Sequence, residues 1–332
     1  MIHKHLAVLK GLKYSSDLFS AAKKDVETGY NLVWLRDNIY AILGFEAAKQ
    51  FTQVRKTLRA LLDILLKHEQ KIDWAIKHKP THTYQFIHAR YNPLTKEEIW
   101  QEWGNKQNDA IGAILFKIGE MEQKGKKIVR NQHDIRILQK VVNYLQSIEY
   151  WHCPDNGMWE EAEEIHASSI GACVAGLKKI QSIVDVPPML IKKGEAALNK
   201  LLPKESKTKE VDLALLSLIY PYNVVSTEMA KKILENVETH LVRERGVIRY
   251  KGDVYYSNGT EAEWTMGLPW LSIIYQQLKL PGKQSYYLLK TLKATNQAGE
   301  LPELYFGNTA EHNDNTPLAW SQSLAAVMHS LE

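Results

Sequence analysis

YNLVWLRDNIYAILGF, residues 30–45, is the stretch that decides the fold. A polar and aromatic run with Trp34, Arg36 and Asp37 passes directly into a strongly apolar helix. Working outward, apolar residues recur at three- and four-residue spacing near 38–51, 54–70, 108–122, 132–148, 166–184, 188–201, 210–220, 226–241, 264–279, 283–293 and 317–331, the spacing of helix faces. With a further helix expected around 15–24, the chain reads as all-α. Between alternate helices lie longer loops rich in Trp, Tyr, Gly and charged residues, at 25–37, 80–107, 149–165, 243–263 and 298–316. Antiparallel helical hairpins set in a ring would gather such loops at one end of the inner helices.

No Pro/Gly/Ser-rich linker divides the chain, and the charged stretch KESKTKEVD at 204–212 is short enough for an interhelical turn. A single domain over residues 1–332 is expected. Short β-pieces are expected within 246–258, where VIRYKGDVYY alternates around a turn.

Hydrophobic residues make up 45% and charged residues 24% of the chain, which is ordinary globular usage and argues against disorder. The 42 Lys and Arg exceed the 38 Asp and Glu by only four, and the surplus is scattered as pairs such as Lys126-Lys127 and Lys192-Lys193. That pattern marks solvated helix faces and implies no nucleic-acid groove. Cys153 and Cys173 are too few for a disulfide framework and are read as reduced. The amino terminus, MIHKHLAVLKGLKY, has too short an apolar run for a signal peptide, and nowhere does an apolar stretch approach the roughly 18 residues of a membrane span. No membrane partner is implied, and a cytoplasmic location is the expectation.

The loops carry the chemistry. Asp37 can start its helix by accepting backbone hydrogen bonds, and an adjacent Arg-Asp pair beneath Trp34 equally suits a sugar, charges holding hydroxyls while an aromatic covers the apolar ring face. WQEWGNKQNDAIGAILF at 100–116 repeats the pattern, with Asn108 or Asp109 as a possible cap and Trp103 belonging to no helical stripe. WHCPDNGMWEEAEEIHASSIG at 151–171 places Glu160, Glu161, Glu163 and Glu164 within five positions. Acid-rich sequence before a helix can be solvated or dipole-matched, but an indole such as Trp159 beside a carboxyl desolvates it and predicts a group able to keep its proton. GVIRYKGDVYYSNGTEAEWTMGLPWL at 246–271 combines Arg249, Asp253, Tyr255, Glu263, Trp264 and Trp270. GELPELYFGNTAEHNDNTPLAWSQSLAAV at 299–327 sets Glu303, a second isolated carboxyl, on the same kind of loop. His3, His5, His78, His82 and His88 form no HExxH arrangement and have no Cys partner, so no metal is expected. Phosphate-cradling and dinucleotide fingerprints do not occur.

VWLRD at 33–37, WGNKQND at 103–109, MWEEA at 158–162, IRY at 248–250 with GLPWL at 267–271, and PEL followed by PLAWSQS within 302–323 together resemble glycoside hydrolase family 15, in its order and over nearly the whole chain. The resemblance implies an (α/α)6 toroid of six helical hairpins with the active site at the mouth of the inner helices. It implies an exo-acting, inverting cleavage of α-glucosidic bonds, with no cofactor, releasing glucose from non-reducing ends. Glu160 matches the general acid and Glu303 the general base that activates water. Arg36, Asp37 and Arg249 would hold hydroxyls of the terminal glucose, with Trp34, Trp103, Trp159 and Trp270 shaping the pocket, Asp109 among the sugar-binding set and Glu161 on the adjoining unit. Inversion needs the two carboxyls about 6.5–9.5 Å apart, leaving room for a water, and needs Glu303 ionised.

Glucoamylases commonly place an amide after the base, where this chain has Leu304. PELY at 302–305, WLRDNIY at 34–40, DNGMWE at 155–160 and ASSIG at 167–171 resemble the glucoamylase-like domain of phosphorylase kinase regulatory subunits, which implies an inactive carbohydrate-binding or regulatory domain as the alternative. Against that, the double acid Glu160-Glu161 stands where those subunits tend to have Arg second. With no β-sandwich ahead of the helices, the expected substrate is an α-linked glucose oligosaccharide or disaccharide.

Overall fold

The structure, a computed structural model, describes residues 1–101 and 103–331. Its helices run α1 (Ile2–Leu12), α2 (Leu35–Ala47), α3 (Phe51–Lys67), α4 (Glu69–His78), α5 (Asn108–Gln123), α6 (Gln132–Ser147), α7 (Ala167–Ile180), α8 (Pro188–Leu201), a 3-10 helix (Leu213–Leu218), α9 (Thr227–His240), α10 (Gly267–Gln277), α11 (Pro281–Ala294) and α12 (Ala319–Ser330).

Burial sorts them into two rings. From Leu35 to Phe45 every residue of α2 is buried, as is every residue of the 3-10 helix. By contrast, α6 buries Ile137, Leu138, Val141, Val142, Tyr144 and Leu145 on one side, as an outer helix must, and of its charged residues only Asp134 is buried. The inner elements close on themselves: α2 packs on α5, α5 on α7, α7 on the 3-10 helix, that helix on α10, α10 on α12, and α12 back on α2. Around them, α1 lies on α12, α3 on α2 and α5, α8 on α7, α9 on the 3-10 helix and α11 on α10, while α6 lies against α3 and α4. This is the expected (α/α)6 toroid.

The tightest joint is between α5 and α7. A Cβ added to Gly112 would stand 2.4 Å from the Cys173 nitrogen, and one added to Gly176 would stand 2.5 Å from the Gly112 oxygen. Only glycine lets these backbones approach so closely.

Several local expectations give way. Residues 15–24 form no helix: Asp17 has a φ of +64°, Lys13 bridges to Phe19, and the Asn38 amide bonds both the nitrogen and the oxygen of Phe19. Leu18, Phe19, Ala21 and Ala22 are buried there, so core contact imitated a helical stripe. The amino-terminal helix is instead α1, and α4 continues beyond α3 as a separate helix. The helix expected at 210–220 is the short 3-10 turn, started by Asp212, whose carboxylate accepts the Ala214 N–H at 2.7 Å. No strand forms within 246–258, where only Val247 makes isolated bridges, to Val242 and Trp264. Two antiparallel strand pairs lie elsewhere: β1 (Val33–Trp34) with β2 (Arg90–Tyr91), and β3 (Glu263–Trp264) with β4 (Leu304–Tyr305). Each pair stitches one loop at the mouth to another. Cys153 and Cys173 are free thiols, and among the described residues no helix is long and apolar enough to cross a membrane.

Candidate active site

The loops leading into α2, α7, α10 and α12 surround a cavity with about 450 Å³ of empty space, counted with its opening to solvent. Its wall includes Tyr30, Trp34, Arg36, Asp37, Trp159, Glu160, Arg249, Trp264, Glu303 and Trp320. The two carboxylates singled out in the sequence therefore face one space, although 143 positions separate them in the chain.

Glu160 is held from behind. Asp155 pairs with Glu164 across the base of its loop, and the Asp155 carboxylate accepts the backbone N–H of Asn108 and the Ser169 hydroxyl, tying the loop to α5 and α7. Burial pushes Asp155 up to about 6. Asn156 staples the neighbouring loop by accepting the Lys106 N–H at 3.0 Å and donating to the Glu161 carbonyl at 2.7 Å. Glu160 itself adopts a φ of +64°, a conformation that costs a non-glycine residue energy and tends to persist at functional sites. Its backbone presses on Gly104, where an added Cβ would lie 2.6 Å from the Glu160 carbonyl oxygen. The carboxylate accepts from Trp103 Nε1 and from Gln107 Nε2 (2.9 Å), and Arg36 stands 3.5 Å away.

Trp159 is thus not the indole at the Glu160 carboxyl, contrary to the sequence expectation. Its Nε1 donates to Asp212 at 2.8 Å, and its ring leans on Trp264 and Trp320 to build the apolar wall. Trp103 occupies that place instead. It stands at the rim, with Arg90 over its ring at 4.8 Å, rather than among the wall residues.

Glu303 is fully buried and held by amides: Asn313 and Asn315 both donate to Oε2, and Thr28 donates to the Asn315 carbonyl oxygen at 2.6 Å, fixing which end of that amide faces Glu303. Oε1 has no hydrogen bond of ordinary geometry among the described residues. Burial raises the pKa of Glu303, opposed by Asn315, Tyr30, Asn313 and Arg249. Its pKa thus lies above the ordinary carboxylate value rather than at it. Leu304, by contrast, is buried in β4 opposite Trp264. The amides that bond Glu303 come from Asn313 and Asn315.

Each arginine is locked by carboxylates. Arg36 Nη1 donates to Gln107 at 2.8 Å and meets Asp109 at 3.2 Å; burial opposes its charge, but Asp109, Asp37 and Glu160 outweigh that and raise its pKa. Arg249 makes two bonds of 2.6 Å to Asp253, and its guanidinium lies 4.9 Å from the Tyr255 ring and 5.0 Å from Trp264. Asp37, in the first turn of α2, is pushed up to about 7 by burial, only partly countered by Arg36. Arg36 acts on it through charge rather than through a hydrogen bond.

Three further sequence-predicted residues stand back from the cavity. Asp109 is buried beneath Arg36, with which it pairs. Glu161 is taken up by Lys209, by Tyr250 (2.6 Å) and by Arg249 (3.2 Å). Trp270 is completely buried one layer below, donating to the Tyr220 carbonyl at 2.7 Å and packing against Trp320 and Tyr40. Its place on the wall belongs to Trp320 and Trp264, which together with Tyr30 lay within the quoted motifs without being assigned to the pocket.

A model of the family described as "Glycosyl hydrolases family 15" matches residues 10–187, just over half of the chain. A probable phosphorylase b kinase regulatory subunit alpha of Caenorhabditis elegans is 28% identical, the alignment covering 67% of this chain and 21% of that protein. The chain thus spans about a fifth of the length of the curated relatives it matches. Among solved structures, a glycosidase variant in complex with glucose superposes with a TM-score of 0.82 at 18% identity, over 99% of this chain and 95% of that one. The glucoamylase of Saccharomycopsis fibuligera gives 0.72 at 12% identity, over 99% and 93%. At such identities the likeness establishes the toroidal fold.

Proposed function

Since the chain belongs to glycosyl hydrolases family 15, we propose that it is an exo-acting, inverting α-glucosidase that works with Glu160 as general acid and Glu303 as general base. The observation that carries this reading is the cavity itself: two carboxylates from separate loops face it, and Glu303 keeps one oxygen unbonded. A terminal glucose would enter with its hydroxyls toward Arg36, Asp37 and Arg249 and its apolar faces against Trp34, Trp159, Trp264 and Trp320. Glu160 then passes a proton to the glycosidic oxygen as the bond to the anomeric carbon breaks. Glu303 Oε1 takes a proton from the water that attacks the opposite ring face. The first product is β-glucose.

The test is a substrate panel of maltose, isomaltose, maltotriose, dextran oligomers and trehalose, with proton NMR of the earliest product. Release of β-glucose is expected; early α-glucose would overturn the water geometry. A second reading, a carbohydrate-binding regulatory domain without turnover, is favoured by the names of the curated relatives, which are regulatory subunits. Maltose binding with no glucose released across the panel would select it.

Two smaller predictions follow from the loops. Gly104→Ala forces the Glu160 backbone outward, and a displacement near 1 Å costs about a hundredfold in kcat; a wild-type rate with the variant folded would show that the loop has slack. Asn315→Ala removes a donor that favours ionised Glu303. The base must be deprotonated to act, so the acid limb of the pH–rate profile should move to higher pH, and a shift the other way would contradict the role given to Glu303.

A further inference from the structure

The loop that carries Glu160 rests on a buried histidine that no step of the proposed reaction uses. His166, the residue before α7, is 4% exposed. Its ring lies against Gly157, three positions before Glu160, where an added Cβ would stand 2.8 Å from the His166 Nε2. Gly157 has a φ of +63°, a conformation that glycine adopts freely. His166 Nδ1 stands 3.3 Å from the Glu205 carboxylate, and Nε2 has no hydrogen-bond partner among the described residues.

Carboxylates flank this ring. Glu205 is buried at the start of α7, where its side chain accepts the Ser168 N–H at 3.1 Å and the Ser168 hydroxyl at 2.5 Å. Asp155 is fully buried, its Oδ1 accepts the Gly157 N–H at 3.0 Å, and its backbone pairs with Glu164. The charges acting on the imidazole are thus Glu205, Asp155 and Glu164, with Lys209 as the opposing cation. Lys209 is itself bonded to Glu161. Burial disfavours the imidazolium, but Glu205 and Asp155 outweigh it and raise His166 to about 9. His166 is in turn the largest influence lowering Asp155. Buried clusters of this kind are strongly destabilised when one member is lost, so the three groups hold one another in place.

We propose that His166 is a positioning residue for the general acid: its ring and charge hold Gly157 and Asp155, and through them the loop that sets Glu160 at the glycosidic oxygen. The proposal rests on the reading of Glu160 as that acid. Between Asp155 and Glu160 the chain has only four residues, and Glu160 is already committed to its φ of +64° against Gly104. A shift at Gly157 therefore reaches the Glu160 carboxyl along a backbone with little room to absorb it.

His166→Gln keeps a donor for Glu205 but neither the ring nor the charge. Its kcat on maltose should fall about a hundredfold with KM close to wild type. Hydrolysis of α-glucosyl fluoride, whose leaving group needs little help from a proton donor, should stay close to wild type, because Glu303 and the sugar-holding residues are untouched. Equal losses on the two substrates would mean that the whole cavity is disturbed and would overturn the assignment, as would an unchanged maltose rate. Glu205→Gln, which leaves the ring and an oxygen for Ser168, tests the same point by NMR without requiring the first variant to fold. The His166 imidazole, identified by its contact with Gly157, should stay protonated to about pH 9 in wild type and lose its proton at lower pH in Glu205→Gln. The indole N–H signal of Trp103, which reports the bond to Glu160, should shift as it does so. A wild-type imidazole neutral at pH 7, or an indole signal indifferent to its titration, overturns the proposal. If wild type cleaves neither substrate and the indole signal still follows His166, the loop is positioned as proposed and only the hydrolase reading fails.

Discussion

Glu303→Gln is expected to lower kcat by about 10²–10⁴-fold and, in the same protein, to increase stability at neutral pH. The first effect follows because an amide cannot accept the proton of the attacking water. The second follows from linkage. Burial raises the folded-state pKa of Glu303 above its ordinary value of 4.5. A group raised in this way contributes most below its unfolded pKa, and that contribution is lost as pH rises through the folded pKa. Above that range wild type folds around an ionised, fully buried carboxylate, and Gln removes the penalty while its carbonyl still accepts from Asn313 and Asn315. Urea unfolding between pH 4 and pH 8 should therefore show the variant gaining on wild type as pH rises. A variant that loses stability with rising pH relative to wild type would contradict the burial argument. One that retains turnover would remove Glu303 from the mechanism. Glu160→Gln should cause a loss of rate of the same order.

Arg36→Met is expected to be the most damaging single change to the fold of the site. Arg36 is the cation shared by Asp37, Asp109 and Glu160, and it is almost fully buried. Removing one member of a buried charge cluster costs about 3–5 kcal/mol, because the partners remain uncompensated. The sign of the Asp37 response is also fixed. Arg36 is the largest influence lowering that pKa, which already stands at about 7, so the variant should hold Asp37 protonated to higher pH. Urea denaturation at pH 7 measures the loss. Adding Asp109→Asn should recover part of it, since the orphaned acid is then neutral. An unchanged unfolding midpoint would mean that the cluster is solvated and the cavity more open than its geometry indicates. Arg36→Lys should rescue poorly, since a single ammonium cannot serve Gln107, Asp109 and Glu160 from the guanidinium's fixed fork.

How much of this was legible in the chain differs by layer. Outer helices such as α6 announce themselves by a one-sided apolar stripe. Helices buried all round do not reveal which side faces the axis, so the sequence has no means of correcting the pocket role that the family resemblance implies for Trp270, which lies a layer beneath. Asp109 shows the same limit, since a first-turn carboxylate reads alike whether it meets a sugar or an arginine behind the wall. Trp103 rather than Trp159 meets the Glu160 carboxylate, and neither that pairing across separate loops nor the +64° φ of Glu160 is encoded in residue types. Asn313 and Asn315 stood in an amide-rich turn before α12, and two amides two positions apart in a loop beside a carboxyl were the signal to follow. What the motifs located well were residues close to the backbone of the loops themselves: Trp34, Arg36, Asp37, Glu160, Arg249 and Glu303 all reach the cavity.

Closure of the inner ring by α12 against α2 has a consequence for synthesis. A chain emerging from the ribosome folds its earlier parts first. Arg36, Asp37 and Glu160 are made in the first half of the sequence, whereas Glu303 and the helix that seals the toroid arrive last. On the proposed mechanism, the nascent protein holds its proton donor and two of the residues facing the sugar well before it holds the group that activates water. On that mechanism, catalytic competence begins only when Glu303 joins Glu160 at the cavity.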